Sequence, residues 1–256
     1  MSARIAWVSR CPVKGLAITQ LDECELTEAG VAGDRQFFLV DENDRLVNSK
    51  GLGALQQIVP SYDHDAGALR MAFPDGTTIS QAVGFDGSLS AGFWSRTVDA
   101  RVVDGPWSEA ISDFAGRNLR LVQAHGPAPD RLRSGAATLL GTASLRAMAR
   151  MLGVDEVDGR RFRMNFGIDG LREHEEDEWL GRGVQLGEAV VIPVGNVGRC
   201  AVTTQNPDSG APDLDTRKAL AAYRPGTEAT EPLPFGVHAS VVQPGRVQVG
   251  DLVELL

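Results

Sequence analysis

The most informative stretch of this chain is Pro193-Val194-Gly195-Asn196-Val197-Gly198-Arg199-Cys200-Ala201-Val202-Thr203-Thr204-Gln205-Asn206-Pro207, a glycine-rich approach to one cysteine followed by a polar turn. No second cysteine stands near Cys200, so this thiol cannot be half of a local zinc knuckle. A soft thiolate suits a thiophilic metal or sulfur chemistry, and the neighbouring Arg199 favours the ionised form that either role requires. The stretch therefore predicts a functional thiol at Cys200.

Toward the N-terminus, the first hundred residues contain short β-rich segments separated by Gly, Pro, Asn and Asp, which is the spacing of a meandering barrel or sandwich. The segments are residues 4–9, 36–41, 45–47, 57–62, 69–73 and 97–103. Two of the intervening stretches, Asp41-Glu42-Asn43-Asp44 and Pro74-Asp75-Gly76-Thr77, consist of residues that tolerate turn backbone angles. Both predict hairpins.

Helical periodicity is limited to three segments, residues 107–114, 144–152 and 217–223. In the second segment the apolar residues of one helical face are Leu145, Met148, Ala149 and Leu152. The loop-like stretch Gly126-Pro127-Ala128-Pro129-Asp130 indicates a boundary region, and β-rich segments resume from residue 162 to the end. The predicted fold is mixed α/β and mostly β, with barrel-like β cores and a few helices.

The composition is that of a soluble globular protein, since 256 residues with 43% hydrophobic and 23% charged side chains can bury one large core or two closely packed ones. No run approaches the roughly 18 apolar residues of a membrane span. The first five residues lead into a strand-like segment rather than the core of a signal peptide. We therefore expect a cytoplasmic protein with no membrane partner.

The cysteine count and the net charge exclude several functions. Three widely spaced cysteines (Cys11, Cys24 and Cys200) argue against a disulfide framework and fall short of the four thiolates of an ordinary iron–sulfur cluster. A redox enzyme of this sequence would take its electrons from another protein. The net charge of −9 makes general nucleic-acid binding unfavourable, although a local cluster of Arg and Lys can still hold a small anion.

The stretch around Cys200 also resembles the MOSC family, the domain found at the C-terminus of molybdenum cofactor sulfurases and in amidoxime-reducing enzymes. Residues 203–207 (TTQNP) are similar to the family's TTxDP turn, residues 161–165 (RFRMN) to its RFRPN strand, and residues 176–179 (EDEW) to its acidic segment with tryptophan. Residues 234–236 (PFG) and 245–251 (GRVQVGD) resemble the last motifs of the family and follow in the family's order.

Two motifs near the N-terminus extend the resemblance. Cys11-Pro12-Val13-Lys14-Gly15 is similar to the YPVKG signature, and residues 33–41 (GDRQFFLVD) to the GDRxFxLVD signature, of the β-barrel module that precedes many such domains. The matches keep the family order from Cys11 to Asp251. The resemblance thus implies a MOSC N-terminal β-barrel-like module over residues 1–115, packed on a MOSC β-barrel domain over residues 116–256.

The same resemblance implies a cofactor site. In the enzymes this chain resembles, molybdenum is held by the dithiolene of a phosphorylated pterin (molybdopterin), and arginine suits both phosphate and pterin edges. Cys200 would be the metal ligand and catalytic residue. The implied cofactor contacts are Lys14, Arg35, Lys50, Arg163, Asn165, Arg199, Thr203 and Asn206. Lys50 follows a predicted hairpin where family members carry a TxR-type contact. Arg163 and Asn165 would lie on one face of a strand.

Other residues have simpler interpretations. A cysteine outside a motif is usually a small buried hydrophobe, so Cys11 and Cys24 are predicted to be packing residues. Lys14 and Arg35, taken singly, are typical of surface or ion-pair residues, and their assignment depends on the resemblance. The acidic run of residues 173–178 has no HExxH pattern and is predicted to be a solvated helix N-terminal turn, with Trp179 docked into the core. Of the four histidines only His238 stands close to a site motif, and a structural role is expected for it.

The chain departs from the family pattern at four positions. The residues are Gly15 and Gly198 where serine occurs, Met164 where proline is frequent, and Asn206 where aspartate is frequent. A missing hydroxyl at Gly198 removes a hydrogen bond to the cofactor or lets the backbone approach more closely. These departures bear on substrate choice more than on cofactor binding.

The resemblance favours a molybdenum-cofactor-dependent reductase of N-hydroxylated or N-oxide small molecules, supplied with electrons by a separate flavin or iron–sulfur protein. A carrier is the alternative, in which Cys200 accepts sulfur as a persulfide or presents the cofactor to another enzyme without reductase activity. A third possibility is a cofactor-free barrel with a binding or biosynthetic role. The sequence leaves the substrate, the electron donor and the oligomeric state open.

Overall fold

The computed structural model of this chain describes residues 2–126, 130 and 132–256, and the strands of these residues form four sheets. The strands are β1 (Arg4–Arg10), β2 (Thr19–Leu21), β3 (Glu23–Thr27), β4 (Gly30–Val31), β5 (Phe37–Val40), β6 (Leu46–Val47), β7 (Val59–Asp63), β8 (Ala68–Ala72), β9 (Thr78–Ala82), β10 (Gly84–Phe93), β11 (Arg96–Asp104), β12 (Arg120–Ala124), β13 (Ala137–Gly141), β14 (Phe166–Asp169), β15 (Val184–Leu186), β16 (Ala189–Gly198), β17 (Pro234–Gln243), β18 (Gly245–Gln248) and β19 (Val253–Leu255).

The described residues also form three α-helices, α1 (Trp107–Ala115), α2 (Thr142–Leu152) and α3 (Thr216–Tyr223). Short 3-10 helices occur at Gly53–Gln57, Leu132–Gly135, Gly159–Phe162, Glu175–Trp179 and Ala201–Thr204. The fold is therefore mixed α/β and mostly β, as predicted. No helix in the described ranges is long and apolar enough to cross a membrane.

The predicted helices and hairpins are confirmed, because local sequence specifies them. α1 ends at Gly116 and α2 at Gly153, which take the left-handed backbone that closes a helix and that glycine adopts without strain. In α2 the predicted apolar face packs on a core cluster around Phe162 and Phe235. The turns at residues 41–44 and 74–77 join β5 to β6 and β8 to β9.

The largest sheet has eight strands in the order β19-β15-β16-β17-β13-β14-β1-β2. Its pairs are antiparallel except β13 with β14. One face covers an apolar core that includes Ile5, Leu139, Phe166 and Val237, all at most 1% exposed. The β16–β17 pairing is irregular at three places along its length and ends at Gly198 opposite Pro234. The chain therefore leaves this sheet immediately before Cys200.

A five-stranded sheet, β10-β11-β12-β5-β6, supports the N-terminal part of the chain over a core around Phe37, Leu55 and Trp107. The pairing crosses the boundary predicted at residue 115. β1 pairs with β14 in the larger sheet, while β12 pairs with β5 and β11 in the smaller one. Each part of the chain thus contributes a strand to the other part's sheet. In the predicted boundary stretch of residues 126–130, residues 127–129 lie outside the described residues.

The strand predicted across residues 162–165 is wrong. Gly159–Phe162 is a 3-10 helix capped by the side chain of Asp158, and Arg163 follows it with a left-handed backbone (φ 54°). β14 begins only at Phe166. Arg163 and Asn165 are therefore not alternate residues on one face of a strand. The reversal at Arg163 sends its side chain toward the N-terminal motifs instead.

Candidate functional site

Cys200 lies at the point where β16 ends and a short 3-10 turn begins. Its backbone is extended (φ −106°) and precedes Ala201–Thr204. The Cys200 carbonyl accepts hydrogen bonds from the backbone N–H of Thr203 (3.2 Å) and from the Thr203 hydroxyl (3.0 Å). The thiol of Cys200 is exposed, whereas Cys11 and Cys24 are buried, as predicted for packing residues. The turn thus presents one accessible thiol.

A cleft of about 510 Å³ adjoins this turn and receives residues from both halves of the chain. Seven residues of the predicted site line it, namely Cys200, Lys14, Arg35, Lys50, Arg163, Arg199 and Thr203. Residues separated by more than 180 positions therefore meet at one cavity, since Lys14 and Cys200 both line it. Asn165 and Asn206 are absent from its lining.

The cleft is cationic although the protein as a whole is acidic. Its described lining contains six Lys and Arg side chains and three carboxylates, so its formal charge is +3 against −9 for the chain. The basic residues are Lys14, Arg35, Lys50, Arg161, Arg163 and Arg199, and the acidic residues are Asp34, Asp130 and Glu231. A local excess of positive charge in a concave site attracts an anionic ligand.

Asp34 and Arg35 join the two N-terminal motifs to the segment that precedes β14. One carboxylate oxygen of Asp34 accepts a hydrogen bond from the backbone N–H of Cys11 at 2.6 Å, and Asp34 pairs with Arg35. Arg35 Nη2 in turn donates to the carbonyl of Arg163 at 2.6 Å. Burial alone would lower the pKa of Arg35, but Asp34 and Asp130 outweigh it and raise that pKa. Arg35 therefore stays charged within the wall of the cleft.

Lys14 and Asp130 form an ion pair at the cleft. The Lys14 ammonium lies 2.6 Å from Asp130 Oδ1, and Arg35 Nε lies 3.3 Å from Asp130 Oδ2. Burial lowers the pKa of Lys14 while Asp130 opposes the shift. Burial raises the pKa of Asp130, but Lys14 and Arg35 reverse that effect, so its pKa is lowered. One carboxylate thus pairs with two of the cations that line the cleft and offsets part of their charge.

Arg163 contacts a buried thiol. Its Nη2 lies 2.7 Å from Cys11 Sγ and donates to the carbonyl of Leu16 at 2.8 Å. Burial raises the pKa of Cys11 despite the opposing charges of Arg163 and Arg35. Cys11 therefore remains a thiol beneath the cleft.

Arg199 directs its guanidinium into the protein. Nε donates to the carbonyl of Phe235 and Nη1 to that of Phe162, both at 2.9 Å. The side chain thereby ties the turn at Cys200 to two other motif segments. Sequence reasoning missed Arg161, which also ties separate segments of the chain together. It pairs with both carboxylate oxygens of Asp213 (2.5 and 2.7 Å) and donates to the carbonyl of Gln205.

Asn165 and Asn206 lie behind or beside the cleft. Asn165 is buried and exchanges two 2.8 Å hydrogen bonds with Thr138. Asn206 holds its own loop by accepting from the backbone N–H groups of Asp208 and Ser209. Asn165 thus bonds to Thr138 of β13 and Asn206 holds its own loop, and neither lines the cleft as the resemblance implied.

Glu231 and Trp94 line the cleft although neither belongs to a recognised motif. Glu231 Oε2 accepts the backbone N–H of Gly198 at 2.9 Å. A β-carbon at position 198 would lie 2.7 Å from that oxygen and 2.9 Å from the Pro232 carbonyl oxygen, so a side chain here would force its neighbours to shift. The absence of a side chain at Gly198 was visible in the sequence, but the carboxylate that fills the space was not.

The acidic run differs in part from its prediction. Trp179 docks into the core as expected, yet Glu176 is fully buried rather than solvated. One Glu176 oxygen accepts from the Ser144 hydroxyl (2.8 Å) and from the backbone N–H of Gly141 (3.2 Å). Burial raises the pKa of Glu176 to about 7. His238 lies on β17 with Nδ1 at 2.8 Å from the carbonyl of Ser134 and does not line the cleft.

Two family models match the chain. The model described as MOSC domain matches residues 116–254, and the model described as MOSC N-terminal beta barrel domain matches residues 2–117. No curated protein matches the chain significantly.

Several solved structures are similar to this chain. The YuaD protein from Bacillus subtilis is 12% identical with a TM-score of 0.47, over 100% of this chain and 96% of that chain. YiiM from Geobacillus stearothermophilus is 16% identical with a TM-score of 0.38, over 69% and 74% of the two chains. YiiM from Escherichia coli is 20% identical with a TM-score of 0.36, over 52% and 58%.

Proposed function

Because this chain belongs to the MOSC family and carries the family's N-terminal β-barrel domain, we propose that it is a molybdenum-cofactor-dependent reductase of N-hydroxylated or N-oxide small molecules. The observation that carries the proposal is the exposed thiol of Cys200 at a cationic cleft in an acidic protein. A soft thiolate is a ligand for a thiophilic metal, and clustered Lys and Arg bind a phosphorylated group.

The donor set of the cleft fits a molybdenum–molybdopterin cofactor. One accessible sulfur matches a metal whose remaining ligands come from a dithiolene. Lys14, Arg35 and Lys50 offer cations for phosphate, and Lys50 is exposed at the rim. The volume of about 510 Å³ lies within the range of small-molecule sites.

In this proposal Cys200 would hold the metal, and the other residues would bind and orient the cofactor. Thr203 supports the metal-binding turn, because its hydroxyl bonds both the Cys200 carbonyl and the Thr216 hydroxyl at 3.0 and 2.8 Å. Arg199 keeps the same turn against β17 through the Phe235 carbonyl. When bound, the cofactor would supply the two-electron chemistry. Reduction of an N–OH group consumes two electrons and two protons, breaks the N–O bond and releases water.

A separate flavin or iron–sulfur protein would supply the electrons in this scheme. Activity of the purified protein with NADH alone would contradict that part of the proposal.

The exposure of Cys200 also favours a second function, a sulfur or cofactor carrier. An accessible thiolate can attack the outer sulfur of a donor persulfide, so that Cys200 becomes the persulfide and the donor leaves as a thiolate, with no net reduction. A sulfur carrier would yield cyanolysable sulfur on Cys200 and no bound molybdenum, whereas a cofactor carrier would contain molybdenum and pterin but show no reductase turnover.

The test is the molybdenum-to-protein ratio of wild type, Cys200→Ala and Cys24→Ala, each produced in a cofactor-competent host, with released pterin measured by fluorescence. Cys24→Ala is the matched control because it removes a buried thiol. We expect near-stoichiometric metal and pterin in wild type and control, and loss of molybdenum and turnover in Cys200→Ala. Wild type without metal or pterin would instead support the sulfur carrier or the cofactor-free barrel.

A further inference from the structure

Trp94 stands at the rim of the cleft in an exposed position. It lies at the tip of the β10–β11 hairpin and is 63% exposed, whereas the other three tryptophans are buried or half-buried. Its side chain lines the same cleft as Cys200. A large aromatic surface open to water at the mouth of a binding site is typical of a ligand contact.

The backbone at Trp94 is unfavourable for a bulky residue. Phe93 pairs with Arg96, so Trp94 and Ser95 form a two-residue hairpin loop. Trp94 has φ 56°, in the left-handed region that such loops normally give to glycine or asparagine. For a large L-residue this conformation costs folding energy. Residues with strained backbone conformations are concentrated at functional sites, where the strained conformation is part of the function.

The neighbours of Trp94 hold its ring without covering it. The Phe93 ring contacts it edge-on, with centroids 4.9 Å apart and planes at 66°. The Lys14 ammonium lies 4.7 Å from the centroid of the Trp94 ring. Asp130 Oδ1 lies 2.6 Å from the same ammonium and holds it in place. The indole is therefore oriented by two contacts, and most of its surface stays available to a ligand in the cleft.

We propose that Trp94 is a stacking platform at the cleft that favours substrates carrying a planar conjugated ring over substrates carrying a saturated ring. The inference rests on the proposed function for the reacting group but concerns the remainder of the substrate. A flat ring can stack on the indole in the offset geometry that aromatic pairs prefer, whereas a puckered saturated ring cannot. The high exposure of Trp94 places the stacking partner at the mouth, which a substrate occupies on entry.

A pair of probes of equal size isolates the planarity of the ring. Benzamidoxime and cyclohexanecarboxamidoxime carry the same reacting group on a flat and on a puckered six-membered ring. Calorimetric dissociation constants and steady-state kinetics would be measured on the cofactor-loaded protein with both probes. The variants are Trp94→Ala, Trp94→Phe, which keeps an aromatic face, and Trp94→Leu, which keeps apolar bulk.

We expect Trp94→Ala and Trp94→Leu to weaken benzamidoxime binding about 3- to 10-fold, with kcat little changed and with a smaller effect on the cyclohexane probe. Trp94→Phe should retain most of the preference. Equal losses for both probes, or full affinity in Trp94→Leu, would overturn the stacking role.

Molybdenum and pterin content would be measured in every variant, because the pterin is itself a planar ring. Unchanged content supports a substrate contact, whereas loss of pterin from Trp94→Ala and Trp94→Leu alone would assign Trp94 to the cofactor and reject the proposal. A failure of the proposed function is distinguishable. It would show as absent molybdenum and turnover in wild type, and calorimetry repeated on that cofactor-free protein would still measure the preference of Trp94 between the two probes.

Discussion

The backbone N–H of Gly198 donates to Glu231 Oε2 at 2.9 Å, and the carboxylate occupies the space that a side chain at position 198 would need. This contact couples the end of β16, two residues before Cys200, to the loop that enters β17. A serine, which the family resemblance implies for this position, would collide with Glu231 and with Pro232, because an added β-carbon would lie 2.9 Å from the Pro232 carbonyl oxygen.

Gly198→Ser should therefore destabilise the protein by about 1–3 kcal/mol, because the added side chain overfills a packed site. The double mutant Gly198→Ser/Glu231→Ala, in which the neighbouring Glu231 side chain is shortened, should recover part of the lost stability. A double-mutant cycle of urea denaturation measures the coupling, which we expect to be at least about 0.5 kcal/mol. Strictly additive effects would show that the two positions are independent.

Asp130→Asn should increase the affinity of the cleft for inorganic phosphate by up to about tenfold, or ~1.4 kcal/mol, because the change releases Lys14 and Arg35 from their shared counter-ion. Phosphate titration by calorimetry measures the effect. Asp208→Asn is the control, since Asp208 pairs with Arg160 outside the cleft lining. Equal affinities in the two variants would argue that Asp130 does not compete with anions.

Glu176→Gln should stabilise the protein more at pH 8 than at pH 5. The pKa of Glu176 is raised by burial to about 7, above its ordinary value of 4.5, so the folded state binds more protons than the unfolded state between these values. The stability that Glu176 contributes is present below pH 4.5 and falls as the pH rises toward 7, by a total on the order of 3 kcal/mol. Glutamine does not ionise, so Glu176→Gln avoids this loss of stability.

Thermal melts of wild type, Glu176→Gln and the exposed control Glu178→Gln at the two pH values test this prediction. A melting-temperature difference between Glu176→Gln and wild type that is the same at both pH values would contradict a buried carboxyl with a raised pKa.

Native thiol titration with a disulfide reagent should give one rapidly reacting cysteine, and denaturation should reveal the other two. Cys200 is exposed, whereas Cys11 and Cys24 are buried with raised pKa values, about 12 for Cys24. Because the thiolate is the reactive form, burial protects both. Cys200→Ala should abolish the fast phase. A fast phase that survives in this variant would mean that a buried thiol is accessible.

Local sequence was sufficient for the elements whose signals are local. Turn residues at positions 41–44 and 74–77 predicted their hairpins, and helical spacing predicted α1, α2 and α3. The same reasoning missed β10, whose glycines and polar residues give no clear alternation. It also assigned residues 162–165 to a strand, because no local signal marks the left-handed backbone at Arg163.

The sequence by itself determined the family and the mostly β fold, because motifs and periodicity are properties of neighbouring residues. Tertiary structure decided which residues share a cavity. Lys14, Trp94 and Cys200 line one cleft, Asp130 pairs with Lys14 and Arg35, and Glu231 fills the space at Gly198. Each of these arrangements involves residues that are distant along the chain and that come together only after the strands have paired, as β1 does with β14. Spacing along a sequence does not encode such pairings; packing of the complete chain creates them.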